Sequence, residues 1–447
     1  MLRALLKNSD ILFNTGSLIA TMLITSALGF AYWWVAARLY PAEAVGLASA
    51  ATSAMMLLST LFLLGQGTLL LTELPRNKGQ EGTLISASLL LVGTSTLLAS
   101  LLFAFLAPYI SPQLAALGTT PQNILLFAIG ASFASITLIL DQAVIALLQG
   151  SIQLWRNASF ALVKLALVII TARYLAQTSG MSIYTTWTIG NVISLIPILI
   201  FLIHKKKCSL TYYRPQWHII RRLGLASLQH HCLNLILQAP SQLLPLLVTI
   251  MLSAKMNAWF YIASMIANFI YSLSISLTTV LHATNAAHIT TLTQKTRLTV
   301  GLAILASLSI GTILILAARP ILAFFGPSYA DNASVCLRLL LLASLPLIIK
   351  NHYIAIYRIR DKVARTIVPI TLGSILELGL ATCGAHIGQL PGLTLGWVIA
   401  LLIEALFMLP TVATVLLLKY PTDPQYIDKN PNGHIDPSVT PETESLV

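Results

Sequence analysis

The sequence has few charged side chains. Asp, Glu, Lys and Arg make up 9% of its 447 residues, whereas 57% of the residues are hydrophobic. Soluble globular proteins have a charged fraction near 25%, so this composition excludes a water-soluble fold. It also excludes a disordered, fibrous or nucleic-acid-binding protein as a description of the whole chain. A bilayer-crossing helix needs about 20 mostly apolar residues, and the apolar content is enough for about twelve such helices.

Cysteines and catalytic motifs are scarce as well. The four cysteines are Cys208, Cys232, Cys336 and Cys383, and no two are close enough in sequence to form a zinc or redox motif. The phosphate-binding GxxxxGK[ST] loop, the HExxH motif and the CxxC motif do not occur. We therefore interpret the cysteines as packing residues, and we expect no ATPase activity, no cofactor, no bound metal and no nucleic-acid partner.

The sequence does contain a series of long apolar runs. They show no alternation with period two, which favours helices over a β-barrel. An all-α, polytopic membrane protein with about twelve transmembrane helices is the predicted fold class. The predicted spans are residues 11–36, 44–72, 83–107, 123–148, 158–176, 183–203, 224–252, 257–283, 298–318, 333–356, 366–386 and 394–418.

The basic residues support this number of spans. If the N-terminus is inside, 19 of the 26 Lys and Arg residues fall on inner segments. The outer loops hold only Arg38, Arg173, Lys255 and Arg319. Because positive charge accumulates on cytoplasmic loops, we predict a multi-pass protein of the cytoplasmic (inner) membrane with both termini in the cytoplasm. The formal net charge of +12 is then explained by orientation and needs no anionic partner.

The layout of the spans predicts two six-helix halves around a central cavity. Residues 140–149 align with residues 349–358 at a constant offset, which also places Arg156 on Arg365. An even number of spans in each half gives both halves the same orientation, with the substrate site between them near the midplane. The predicted domains are an N-terminal six-helix bundle (1–204), a basic cytoplasmic linker (205–222), a C-terminal six-helix bundle (223–419) and a disordered cytoplasmic tail (420–447).

Five charged residues inside the predicted spans are candidates for function, because a charge in the bilayer costs a few kcal/mol. Asp141 and Lys164 are predicted at one depth in neighbouring spans, where they can form a pair. Lys350 and Glu377 are the predicted counterpart pair in the second half. Each pair either pins a helix hairpin or takes part in transport. Glu404 has no partner nearby in the sequence, so it shares Lys350, stays protonated or faces a wet cavity, and it is our candidate proton site.

A polar stripe marks the seventh span. Gln238, Ser241 and Gln242 have helical spacing in a segment that also contains prolines, and the eighth span adds Tyr261 and Asn268. Hydrogen bonding between helices explains such a pattern on its own. The presence of prolines and amides together favours the wall of an aqueous cavity, and we predict that these five residues line it.

The region that joins the first two spans resembles a known family. The segment Gly29–Ala48 contains Ala37-Arg-Leu-Tyr-Pro-Ala-Glu-Ala-Val-Gly46, followed by Leu64-Gly-Gln-Gly67 and Glu73-Leu-Pro-Arg76. These residues resemble the polysaccharide-biosynthesis, lipid-linked oligosaccharide flippases of the multidrug/oligosaccharidyl-lipid/polysaccharide exporter superfamily. One residue fewer separates the proline from the acid than in the family pattern. The motif covers about 50 residues. The number of spans, twelve in two halves, resembles the family over the whole chain.

The resemblance implies a V-shaped bundle that moves a polyprenyl-pyrophosphate-linked oligosaccharide, or another amphiphilic substrate, by alternating access. Family members bind the pyrophosphate with cations in the lumen, whereas spans 1, 2, 7 and 8 of this chain hold almost no buried Arg or Lys. We expect a flippase for cell-surface polysaccharide synthesis that is not an enzyme and acts as a monomer in the bilayer. Protons and sodium are the candidate coupling ions. The alternatives are a cation-coupled multidrug exporter of the same fold and a membrane-embedded glycosyltransferase or polymerase.

Overall fold

The computed structural model describes residues 9–77, 79–174, 178–204, 215, 217–285, 292–360 and 362–417. Side chains are described from residue 21 onward, except within 204–214, 216–230 and 282–291. In chain order the α-helices α1 to α15 are Ser9–Leu39, Ala42–Leu61, Gln66–Glu73, Glu81–Ile110, Pro121–Ala146, Gly150–Arg173, Gly180–Ile193, Ile196–His204, Trp217–Met251, Ala254–Asn285, Leu292–Leu316, Ala318–Ala323, Pro327–Leu342, Ser344–Ile359 and Ala364–Leu417. A short 3₁₀ helix, Pro112–Leu117, precedes α5.

Twelve crossings result from these helices. Within the described residues, eleven helical segments are long and apolar enough to cross a membrane. The last of them, α15, has 54 residues and is broken at Gly388 and Gln389, where Gln389 has φ +50°. It therefore crosses twice, as a first arm (364–387) and a second arm (390–417). Gly384, Gly392 and Gly396 allow the two arms to pack closely, because a Cβ at any of them would collide with backbone of the other arm.

Local signals explain where several helices begin. The Thr120 side chain accepts a hydrogen bond from the Asn123 backbone N–H, and Pro121 occupies the first position of α5, where its missing N–H has no cost. Ser179 caps α7 in the same way through the N–H of Ser182. The second predicted span is two helices, because Leu64 and Gly65 both have positive φ and separate α2 from α3.

The outer surface of the bundle is apolar, as expected of a surface that contacts lipid. Large aliphatic side chains such as Leu98, Leu305 and Ile387 are exposed, whereas a core of small and aromatic residues is buried. Since backbone groups are satisfied within the helices, this pattern is that of a multi-pass membrane protein. The helix ends define two ends of the bundle. We name the one that contains the turns at 147–149 and 360–363 the basic end, and the one that contains the turns at 40–41 and 252–253 the far end.

The two sets of six crossings, residues 9–204 and 217–417, meet mainly through α2 of the first set and α9 and α10 of the second. Gly46 on α2 lies directly against the backbone of Ala254 and leaves no space for a Cβ. The Asn257 side-chain amide donates to the Gly46 carbonyl (2.8 Å) and to Ser49 Oγ (2.9 Å) at this crossing. A close, hydrogen-bonded helix crossing therefore joins the halves at the far end.

Further polar contacts hold the far end together. The Trp34 indole and the Arg38 guanidinium both donate to the Phe324 carbonyl at 2.8 Å. The Lys255 ammonium lies 3.9 Å from the Glu43 carboxylate. Near the basic end, the described side chains form one polar contact between the halves. His231 Nε2 lies 3.4 Å from the Leu61 carbonyl. The halves are thus sealed at the far end and less tightly joined at the basic end.

The proline-containing helix α9 stays helical along its length. Pro240 lacks the N–H that would bond the Ile236 carbonyl, and the Ser374 hydroxyl on α15 donates to that carbonyl instead, at 3.1 Å. The helix already begins at Trp217, inside the predicted linker (205–222). The predicted tail (420–447) and residues 205–214 lie outside the described residues.

Candidate functional site

A cavity of about 760 Å³ lies between the two halves. The first half contributes Thr52, Ser53, Met56 and Trp187, and the remaining wall comes from α9, α10, α13, α14 and α15. Along α10 the wall extends from Phe260 to Thr279, a distance of about 28 Å at 1.5 Å per residue. The cavity therefore runs from the sealed far end towards the basic end, where Arg358 lies at its edge.

The five predicted lining residues all lie on this wall. They are Gln238, Ser241 and Gln242 of α9 and Tyr261 and Asn268 of α10. Gln238, Ser241 and Asn268 are exposed although they lie in helices that cross the bundle, because they face the open cavity. The wall thus combines amide and hydroxyl groups with aromatic rings, which is a surface that can hydrogen-bond and stack against a sugar-like ligand.

Three buried charges form one cluster beside the cavity. Lys350 Nζ lies 2.6 Å from Glu377 Oε1 and 2.8 Å from Glu404 Oε2. All three residues are at most 5% exposed. Glu377 lies thirteen residues after the start of α15 and Glu404 thirteen residues before its end. Both carboxylates are therefore about 20 Å from the basic end, which explains why one lysine reaches both. Of the three possibilities for Glu404, the structure shows the shared lysine.

The two carboxylates of this cluster are held differently. Glu377 Oε2 accepts a hydrogen bond from the Trp397 indole at 2.6 Å, in addition to the bond from Lys350. Neither oxygen of Glu404 accepts a hydrogen bond of normal geometry from the described residues, although Lys350 is close. The carboxyl of Glu404 packs against Gly373, the glycine whose missing Cβ leaves room for it. Glu377 is thus anchored twice, whereas Glu404 is held by charge attraction alone.

The predicted pair of Asp141 and Lys164 is wrong. Asp141 instead forms a two-point ion pair with Arg156, in which Arg156 Nε donates to Asp141 Oδ1 at 2.7 Å. The reason is the position of the turn. It lies at residues 147–149, between α5 and α6, so Asp141 and Arg156 are five and six residues from the adjoining helix ends. Lys164 lies eight residues beyond Arg156, which is about 12 Å deeper in the bilayer.

Lys164 is enclosed by aromatic rings. Its ammonium lies 3.7 Å from the ring centre of Trp187, 4.4 Å from that of Phe160 and 4.9 Å from that of Tyr32. Among the described residues, no carboxylate lies within ion-pair distance of it. Ring faces carry partial negative charge, so this cage stabilises a cation without an anion. Trp187 is shared, because it also lines the cavity.

Several residues of the wall were not predicted. Thr52 and Ser53 look like ordinary small residues of a packed helix, and only the assembly of the halves turns them to the cavity. Arg358 lies just beyond the predicted tenth span (333–356), where the sequence indicates a cation of an inner loop. In the structure it lines the cavity, and its guanidinium donates to Asn234 Oδ1 at 2.9 Å. A cavity-facing cation one turn from a helix end cannot be told from a topology-setting cation by sequence pattern.

No protein-family model and no curated protein matches the sequence. Solved structures do match the fold. An inward-facing conformation of a multidrug resistance MATE family transporter of the MOP superfamily is 15% identical, with 90% of this chain and 98% of that chain covered and a TM-score of 0.68. The lipid II flippase MurJ, in an inward closed conformation, is 15% identical over 90% of each chain, with a TM-score of 0.66.

An outward-facing conformation of a MATE family transporter matches with 14% identity, over 91% of this chain and 96% of that chain, and with a TM-score of 0.55. The chain therefore has the fold of MOP superfamily transporters, which confirms the predicted fold class. At these identities the likeness concerns the fold, and substrate must be argued from the cavity.

Proposed function

We propose that this protein moves a lipid-linked oligosaccharide, or a related glycolipid, across the cytoplasmic membrane by alternating access. The cavity between the halves is the observation that carries the proposal. A sugar head group can bond to the amides and hydroxyls of α9 and α10 and stack on Trp187 or Tyr261, while the lipid tail remains in the bilayer. MurJ, with a similar fold, is described as a lipid II flippase.

The orientation follows from the charge distribution. Arg360, Lys362 and Arg365 are among the basic residues at the basic end, where α1 also begins and α15 ends. By the positive-inside rule, we propose that this end faces the cytoplasm. The far end is sealed by the Gly46–Asn257 crossing and the Phe324 contacts. We therefore assign the structure to a state in which the cavity is directed towards the cytoplasm, where lipid-linked glycans are synthesised. Transport through helix rearrangement needs no catalytic residue, and we propose that the protein is not an enzyme.

Reconstitution tests the proposal. Purified protein in proteoliposomes should move a fluorescent polyprenyl-pyrophosphate-linked oligosaccharide between leaflets, so that a membrane-impermeant quencher reaches a growing fraction of it. Protein-free liposomes and liposomes with heat-unfolded protein give the background. A flipping rate equal to this background would contradict the proposal.

A cation-coupled multidrug exporter is the second candidate, and the MATE fold favours it. Such an exporter needs carboxylates in its cavity to attract cationic drugs, and Glu377 lines the cavity. Lys350, at 2.6 Å, neutralises that carboxylate, which argues against strong drug binding. Transport of a cationic dye such as ethidium in the same proteoliposomes, without glycolipid flipping, would favour the exporter.

We further propose that Glu404 binds the coupling proton. Glu404 is a buried carboxylate that shares Lys350, 2.8 Å away, with Glu377, so its protonation would bring the charge of the cluster from −1 to zero within the bilayer. Glu404→Gln should abolish the response of the flipping rate to an imposed proton gradient. Replacement of Na⁺ by K⁺ in the same assay distinguishes proton from sodium coupling, since only a sodium-coupled protein loses activity in K⁺.

A further inference from the structure

The cluster of Lys350, Glu377 and Glu404 carries an uneven charge. Two carboxylates share one ammonium, so with all three groups ionised the cluster has a charge of −1. Lys350 and Glu377 line the cavity, whereas Glu404 is not among the lining residues. An incoming ligand thus reaches the lysine directly. A second negative charge brought beside this cluster would raise the uncompensated charge to −2, at a cost of a few kcal/mol in the bilayer.

We propose that an anionic group of the transported lipid, a phosphate or pyrophosphate oxyanion, takes the place of Glu404 at Lys350, and that Glu404 takes up one proton as this happens. The inference rests on the proposed function, because it assumes an acidic lipid in the cavity. The net change is the binding of one anionic group and of one proton from the aqueous phase. Release on the far side reverses both, so lipid and proton move together.

The geometry selects Glu404 rather than Glu377 as the carboxylate that leaves. Glu377 keeps the Trp397 hydrogen bond at 2.6 Å when Lys350 turns away, so its carboxylate still has a donor. Glu404 loses the charge that lies 2.8 Å away and has no other donor among the described residues. Its burial then favours the neutral acid.

Lys350 can reach a ligand without moving its backbone. Its side chain begins on α14, and the residue lines the cavity. Asn351, the next residue, also lines the cavity, and Arg358 lies two turns further along the same helix. One side of α14 thus presents two cations to the cavity at different depths, and Lys350 is the deeper of the two. Arg358 donates to Asn234, and no carboxylate of the described residues forms an ion pair with it, so a ligand at Arg358 displaces none of these acids.

Other titratable groups near the cluster are engaged elsewhere. On α10, the Tyr271 hydroxyl donates to the Leu340 carbonyl. On α14, His352 turns towards α11, where Nε2 lies 3.2 Å from Thr299 Oγ1. On α13, Cys336 Sγ lies 3.3 Å from Thr394 Oγ1. On α9, His231 contacts the Leu61 carbonyl of the first half. The described charged groups that act on Glu404 are Lys350 and Glu377.

Proton uptake on ligand binding tests the exchange. Purified full-length protein in weakly buffered detergent solution is mixed with polyprenyl pyrophosphate, with inorganic pyrophosphate or with polyprenol, and protons are counted with a pH-indicator dye. Bound ligand is counted separately by equilibrium dialysis or filter binding. The wild-type protein should take up about one proton for each polyprenyl pyrophosphate bound. Uptake with inorganic pyrophosphate as well would identify the oxyanion alone as the ligand, whereas polyprenol should cause none.

The variants make the test specific. The Glu404→Gln variant should bind polyprenyl pyrophosphate, but the protein should take up no proton as it does so. The affinity of this variant should no longer fall as pH rises. For the wild-type protein, binding that takes up one proton weakens up to about tenfold per pH unit. Lys350→Met should lose at least tenfold in affinity. If this variant does not fold, the double variant Lys350→Met with Glu404→Gln replaces it. Arg319→Met and Asp331→Asn, an exposed pair within the second half, are the matched controls and should behave as wild type.

The outcomes separate this inference from the proposed function. Polyprenyl pyrophosphate that binds without proton uptake, or uptake that persists in Glu404→Gln, would overturn the exchange. Wild-type affinity in Lys350→Met would overturn it as well, as would a failure of the wild-type protein to bind polyprenyl pyrophosphate. In each case glycolipid flipping in proteoliposomes remains a separate result. Conversely, binding and proton uptake in a protein that does not flip the lipid would contradict the transport function and leave the exchange at Lys350 intact.

Discussion

The two buried lysines differ in what surrounds them. Lys350 is bound by two carboxylates, whereas Lys164 is enclosed by the rings of Tyr32, Phe160 and Trp187. The sequence identifies both residues, because a charge within an apolar run is conspicuous and costly. It does not identify their partners. A shift of a few residues in a helix end moves a side chain by several ångströms in depth. For this reason the observed partner of Asp141 is Arg156 and not the predicted Lys164.

Removal of the ammonium from the cluster should destabilise the protein. Lys350→Met leaves two carboxylates buried beside each other, and the loss of one partner from a buried ion pair costs about 3–5 kcal/mol. Glu404→Gln should cost far less, since it removes the surplus charge. Thermal unfolding in detergent, followed by size-exclusion fluorescence, should place the Tm of Lys350→Met well below that of Glu404→Gln. The reverse order would show that the three charges do not act as one cluster.

Lys164 should respond to substitution in the opposite way. Lys164→Met removes a buried charge that has no anion among the described residues, and the thioether still packs against the three rings, so the Tm should stay within a few degrees of wild type. Lys164→Glu places a negative charge against ring faces and should lower the Tm strongly. Similar Tm values for the two variants would rule out a role of the ring cage in holding a cation.

At the scale of helices, the composition predicts most of the structure. The number of crossings and the polar face of α9 and α10 follow from local features of the sequence. The breaks are harder to predict, because Leu64 and Gln389 adopt positive φ without being glycine. The crossing of α2 and α10 is also non-local, since nothing near Gly46 in the sequence indicates that Ala254 will lie against it.

Replacement of glycine by alanine should have opposite effects on stability at Gly46, which lies at the helix crossing, and at Gly379, which does not. In a helix, Gly→Ala usually stabilises by about 0.5–1 kcal/mol. A Cβ at Gly46 meets the Ala254 carbonyl, whereas one at Gly379 in α15 meets nothing within 4 Å. Gly46→Ala should therefore lower the free energy of unfolding by about 1–3 kcal/mol, and Gly379→Ala should leave it unchanged or raise it. Chemical denaturation in mixed micelles measures both. A stabilised Gly46→Ala variant would contradict the close crossing.

The hairpin of α5 and α6 is tested by charge reversal. Asp141→Arg and Arg156→Asp each place two like charges together at one depth, and each should lower the Tm. The double variant restores opposite charges and should recover part of the loss, which is measured as the interaction energy of a double-mutant cycle. If the double variant has no higher Tm than the less stable of the two single variants, the two side chains do not interact. The same cycle with Lys164→Asp in place of Arg156→Asp should show no recovery.

At the scale of the molecule, the two halves enclose a cavity that neither half contains alone. Its wall on the second half is largely predictable, because polar side chains at helical spacing are rare in apolar helices. The wall on the first half is not, since Thr52 and Ser53 gain their meaning only from the way the halves meet. The cavity, the sealed far end and the shared lysine all support the proposed passage of a glycolipid between the halves.

Obstruction of the cavity tests this account most directly. Ser241→Trp places an indole in the cavity, whereas Ser309→Trp places the same side chain on an exposed position of α11. Both proteins are reconstituted, and the flipping rate of a fluorescent polyprenyl-pyrophosphate-linked oligosaccharide is measured at equal protein density. We predict that Ser241→Trp loses at least tenfold in rate while Ser309→Trp keeps the wild-type rate. Equal rates for the two variants would show that the lipid does not pass through this cavity.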